Sequence, residues 1–177
     1  MRKLFLIGII IMVFLLSCKK DDFPTASGTI KINNHGDYNK EIQTYFVYGF
    51  LFSKAKLVST LDTPPPDITI DNDGTLSNLI LQANNYKNSF YKVGEFTDAI
   101  SAEQAFKNLT SLTVPQWVVW ADSIEPNQIW LYRSGTDHYT KIRIVNTVSK
   151  DSIPKGYAEC TFQWVYQPDG SLTFPGK

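Results

Sequence analysis

The sequence predicts a mostly β domain: an antiparallel sheet or sandwich with a C-terminal meander and one short helix. Three observations carry this expectation. Residues 157–166 alternate, with Ala158, Cys160, Phe162, Trp164 and Tyr166 on one face and Glu159, Thr161, Gln163 and Val165 on the other. A period of two marks a strand that buries one face. Three further strand-like runs, 116–121, 128–133 and 139–148, come before it, and the connections between them are short enough for sequential antiparallel neighbours. Only one segment carries helical signals, so helices are a minor part of the fold.

Earlier in the chain, 29–33, 43–52, 68–70, 79–83 and 89–96 read as strands rich in β-branched and aromatic residues. Residues 45–52 are apolar on both faces, which suits a strand covered on both sides or one whose second face binds something. Pro64-Pro65-Pro66 excludes regular structure and predicts a stiff exposed segment. Asp71-Asn72-Asp73-Gly74 has the composition of part of a calcium loop. Counting back from Gly74, however, places Thr69 and Ile80 where an EF-hand needs acids, so the stretch reads as a turn between strands. Ser101-Ala102-Glu103-Gln104 fits a capping box with Ser101 as N-cap, and Ala102, Ala105, Phe106 and Leu109 then share one helical face. Gln167-Pro168-Asp169-Gly170 supplies turn chemistry, and 171–174 is the expected return strand.

Composition narrows the function classes. The chain has 177 residues, enough for one domain with its own core. Its 17 basic and 17 acidic side chains leave no excess positive charge for a nucleic-acid partner. Two cysteines build neither a disulfide scaffold nor a four-ligand zinc site. Nucleophile elbows, HExxH, phosphate loops and dinucleotide fingerprints are all missing, and Glu95, Glu125 and Glu159 are scattered. No catalytic residue and no metal ligand set is expected, and the chain reads as a non-enzyme.

The N-terminus reads as an address. Arg2 and Lys3 precede the uncharged apolar run 4–16, which is shorter than the ~20 residues a membrane span needs and fits a secretory signal. Leu15-Leu16-Ser17-Cys18 resembles the bacterial lipoprotein box, which implies cleavage before Cys18 and lipid on its thiol. Lys19-Lys20-Asp21-Asp22 resembles the export signal of Bacteroidetes surface lipoproteins. The expected organisation is a signal peptide at 1–17, a lipid-anchored tether at 18–28 and a single domain at 29–177. The membrane is then a partner through the lipid on Cys18, and the location implied is the outer membrane, at the cell surface. Asp122-Ser123-Ile124 and Asp151-Ser152-Ile153 resemble the Asp–Ser/Thr–aliphatic acceptor motif of Bacteroidetes O-glycosylation, which makes Ser123 and Ser152 candidate sites. With Cys18 lipidated, Cys160 has no partner and reads as a small buried hydrophobe.

Ligand-binding candidates come from the aromatics and histidines. Trp117 and Trp120 lie three apart, so in a strand they point to opposite faces, and Trp130 shares a face with Tyr132. Exposed rings of this kind stack sugars, tetrapyrroles or partners, although most rings in a β domain belong to the core. His35 lies in a turn-like stretch and His138 ends a hairpin connection. Together they would ligate haem only if the fold brought them to opposite sides of one iron.

The run Tyr139-Thr140-Lys141-Ile142-Arg143-Ile144, followed by Phe162-Gln163-Trp164-Val165-Tyr166-Gln167-Pro168-Asp169-Gly170, is similar to the C-terminal part of the HmuY-like lipoproteins of Bacteroidetes. That resemblance covers about the last third of the chain. It implies a secreted β fold and, from the family's characterised members, haem capture; it supplies no match for the family's ligand histidines. The leading expectation is a surface lipoprotein that binds a ligand without catalysis or serves as a transporter accessory. The alternatives are a structural or adhesive envelope protein with a protein partner, which predicts a large exposed apolar patch, and an envelope hydrolase, which predicts converging titratable groups.

Overall fold

The computed structural model describes residues 26–72, 78–85, 87–114, 116–150 and 156–175. The signal segment, Cys18, most of the tether and Ser152 lie outside the described residues. The strands are β1 (Ser27–Asn33), β2 (Gly36–Asn39), β3 (Thr44–Leu51), β4 (Lys56–Ser59), β5 (Ile68–Asn72), β6 (Leu79–Ala83), β7 (Phe90–Glu95), β8 (Trp120–Ala121), β9 (Gln128–Arg133), β10 (Tyr139–Lys150) and β11 (Tyr157–Gln167), with helix α1 (Ala99–Asn108) between β7 and β8. Two antiparallel sheets result. One runs β1-β11-β10-β9-β7; the other runs β2-β3-β5-β6-β8, with β4 also on β3. The mostly β, antiparallel expectation holds, and β9-β10-β11 is the predicted meander.

The sheets pack face to face over an aromatic core. Ala158, Cys160, Phe162, Trp164 and Tyr166 are all buried, as the alternation in β11 requires. Phe50 and Phe52, from β3 and the 3₁₀ turn after it, meet them from the second sheet. The Phe50 ring lies 5.2 Å from Trp164 and 6.0 Å from Phe162, and the Phe52 ring lies 5.4 Å from Tyr132. Tilted and edge-on ring pairs at such distances suit the aromatic quadrupole, and each buried ring contributes roughly 2–3 kcal/mol. Burial pushes the Cys160 thiol far above its ordinary range, so it fills space and does not react.

Helix α1 covers the outer face of the first sheet, where Phe106 packs on Ile129 and Val165. Beneath its C-terminus the buried Lys141 ammonium donates to the Phe106 and Leu109 carbonyls at 2.8 and 2.9 Å, where the helix dipole favours a cation.

The structure corrects several expectations. The helix starts earlier than the capping box implies. Its N-cap is Asp98, whose carboxylate accepts from the Ile100 and Ser101 amides at 2.9 and 2.8 Å, so Ser101 lies inside the first turn. Asp98 sets the start because its carboxylate takes the first-turn amides and also accepts from the Ser101 hydroxyl at 2.8 Å, which leaves Ser101 serving the cap instead of being it. Residues 171–174 do not return beside β11, because both edges of β11 are already taken by β1 and β10. The segment crosses instead to the end of α1, where the Phe174 amide donates to the Thr110 carbonyl at 2.7 Å. Of 116–121, only Trp120 and Ala121 are strand, and they join the second sheet instead of the meander. Strand β1 begins at Ser27, within the last residues of the expected tether.

Candidate functional site

The two lateral edges of the sandwich differ. At one edge, 116–121 crosses between the sheets. Val118 exchanges both backbone hydrogen bonds with Phe90 of β7, at 2.8 and 2.9 Å, while Trp120 and Ala121 pair with Gln82 and Leu81 of β6. At the other edge, no backbone pairing joins β1 to β2, β3 or β4 among the described residues. A cleft of about 370 Å³ opens there, across the free edge of β1.

Each lining side chain has a local cause. Tyr48 belongs to the inward set of β3 with Phe46 and Phe50, but it lies towards the strand's exposed half and leaves the core at the edge, 44% exposed. Leu57 pairs opposite Phe50 on β4 and emerges beside it. Ile32, buried on the inward face of β1, forms the floor. His35 sits in the turn between β1 and β2, its amide held by the Asn33 side chain at 3.0 Å, and Asp37 follows on β2. The polar wall is braced. Glu159 accepts from the Tyr157 hydroxyl at 2.6 Å and pairs with Lys31 at 3.2 Å. These partners hold the Glu159 carboxyl below its usual range, and the carboxylate pushes the Tyr157 hydroxyl up to about 12. The cleft is therefore part apolar, with a small number of fixed polar groups of both charge signs, as small-ligand sites are.

The sequence-predicted residues separate in space. His35 lines the cleft. His138 lies at the far end of β11, where its Nδ1 meets the Tyr166 hydroxyl at 2.9 Å. The turn at Asn33 aligns with Glu159, seven strand residues from Tyr166, a separation of roughly 23 Å. The two histidines cannot share one haem iron. Trp130 is in the core, with Nε1 donating to the Gln128 side chain at 3.0 Å. Trp117 lies outside any strand, stacked on Tyr139 at 5.9 Å, with the Arg133 guanidinium 4.9 Å from its ring. Trp120 is 54% exposed on the edge strand β8. Ser123 is exposed, with a left-handed φ of 53°. Tyr48, Leu57, Tyr157, Lys31 and Asp37 were not singled out as ligand residues; the doubly apolar run 45–52 is the signal that pointed towards Tyr48.

A second polar cluster ties the sheets at the His138 end. The Asp67 carboxylate accepts from the Phe52 amide at 2.8 Å and from the Tyr132 hydroxyl at 3.2 Å. Burial raises the Asp67 carboxyl above its ordinary 3.8, and burial together with the Asp67 charge raises the Tyr132 hydroxyl. Both Asp67 oxygens serve as acceptors within the fold, so the group acts as a structural tie. Among the described residues no three His, Cys, Asp or Glu side chains converge to hold a metal ion, and no helix is long and apolar enough to cross a membrane.

The chain matches no protein-family model and no curated protein.

Proposed function

We propose that this chain is an envelope lipoprotein, anchored to the outer membrane through Cys18 and displayed at the cell surface, that binds a ligand without catalysis in the cleft at the free edge of β1. It acts alone or as an accessory to a transporter. The cleft is the observation that carries this reading: two tyrosines and two aliphatic side chains beside Lys31, His35 and Asp37, with Tyr157 braced by Glu159. The lipobox and the charged residues after it support the location, and the similarity to HmuY-like lipoproteins supports a secreted binding role. Thermal shift of wild type and Tyr48→Ala across envelope ligands tests the site, with haem and oligosaccharides included. A ligand that stabilises wild type and not the variant supports the cleft; equal stabilisation of both removes it. Cys18→Ala is expected to stop partitioning into detergent, and protease shaving of intact cells is expected to remove the wild-type domain.

A protein partner is the second reading, favoured by the outer face of the β2-β3 hairpin. The Tyr38 and Tyr45 rings meet there at 4.8 Å, tilted by 55°, and Tyr45 and Ile42 are 77% and 59% exposed. Tyr45→Ser abolishing binding while Tyr48→Ala leaves it intact would move the function to that face. Mass spectrometry of the native protein tests glycan attachment at Ser123 and Ser152, which is expected to appear as added glycan mass; unmodified Ser123 and Ser152 would refute it.

A further inference from the structure

We infer that the free edge of β1 is a docking site for an extended peptide, which adds to the first sheet as an extra strand and places two apolar side chains, three residues apart, in cavities on opposite faces of that sheet. The inference rests on the proposed cleft and names its ligand class. Strand β1 has seven residues, pairs with β11 on one side, and has no backbone partner on the other among the described residues. An unpaired edge presents a row of N–H and C=O groups that an added strand satisfies. β1 contains no proline to block that pairing.

A bare edge gives affinity without selectivity; the two cavities supply the selectivity. One is the cleft already described, whose floor is Ile32 and whose wall is Tyr48 and Leu57. The other, of about 290 Å³, lies on the outer face of the same sheet beside Ser27 and Thr29; Phe106 of α1 and Val165 of β11 form its apolar wall, and Lys107, Lys141 and Gln163 line the rest. Ile32 pairs with Cys160, and its side chain faces the space between the sheets; Thr29 pairs with Gln163, and its side chain faces the helix layer. Residues three apart in a strand point to opposite faces. A peptide residue opposite Ile32 therefore points at Tyr48 and Leu57, and the residue opposite Thr29 points at Phe106 and Val165. Spacings of two or four would put both side chains on one face and leave one cavity empty.

The test uses the purified full chain in detergent and fluorescently labelled seven-residue threonine-rich peptides, read by anisotropy. One peptide carries leucines three apart, a second carries them two apart, and a third repeats the first with alternate amides N-methylated. The first is expected to bind, the second at least tenfold more weakly, and the third not at all. Tyr48→Ala and Thr29→Lys, both at exposed positions, are each expected to weaken the first peptide at least tenfold. Binding that ignores leucine spacing or survives N-methylation overturns strand addition. Failure of every peptide, with Tyr48→Ala still changing the thermal-shift response to small ligands, overturns the inference and keeps the cleft as a small-molecule site. Failure in both assays overturns both.

Discussion

The two edges of the first sheet solve the same problem in opposite ways. β7 at one edge is joined to the second sheet by the crossing segment 116–121, through the paired bonds of Val118 and Phe90. β1 at the other edge has no second backbone partner among the described residues and faces a cleft. Exposed edges invite unwanted pairing, so natural sheets cover them, shorten them or charge them. The Val118 edge is covered. The β1 edge carries one charge, Lys31, and Glu159 already holds it. An edge left unpaired among the described residues, beside the braced Tyr157, is the feature that the proposed ligand would account for.

Substitutions at each edge sharpen this contrast. The largest effect is expected at Gly49, where β3 leaves the open hairpin and enters the core. A Cβ there would overlap the Ile68 carbonyl oxygen and stand 2.7 Å from Pro66 Cβ, so Gly49→Ala should cost about 3 kcal/mol by urea unfolding and disturb both edges. At the covered edge, Val118→Pro removes the amide that bonds the Phe90 carbonyl and should cost about 2 kcal/mol. At the open edge, Tyr48→Ala should change stability by less than about 0.5 kcal/mol while abolishing ligand response, because half-exposed edge side chains hold little of the fold together. A Tyr48→Ala loss as large as that of Val118→Pro would mean that the open edge is structural after all.

The Asp67 tie predicts a pH dependence that belongs to neither edge. Its folded-state carboxyl lies above the ordinary 3.8, so the folded protein holds that proton more tightly than the unfolded chain does. Stability should fall as pH rises above 3.8 and should level off once Asp67 is ionised in the fold. Asp67→Asn should flatten this limb in urea titrations run across that range; an unchanged limb would assign it to other groups.

Strands marked by a continuous apolar run or by apolar–polar alternation are legible in the sequence. β6 and β9 fall where apolar runs predicted them, and β11 keeps its alternation as far as Trp164, after which Val165 is also buried, on the opposite face beneath α1. β2 was not legible, because Gly36-Asp37-Tyr38-Asn39 is turn chemistry that becomes strand only through pairing with β3. The return strand at 171–174 failed for a related reason: turn residues fix a local reversal but not which sheet edge is vacant. The cleft was least legible. Its side chains come from β1, β2, β3, β4 and β11, and only the paired sheets bring them together. Trp130 misled because ring size predicts burial as well as binding, and here the ring is packed in the core.

The most direct measurement is amide chemical-shift mapping of the full chain titrated with the leucine-three-apart peptide. The account predicts shifts along β1, at Tyr48, Leu57 and Tyr157, and at Phe106 and Val165, with 116–121 unmoved. Shifts centred on Val118 and Trp120, or none along β1, would contradict it.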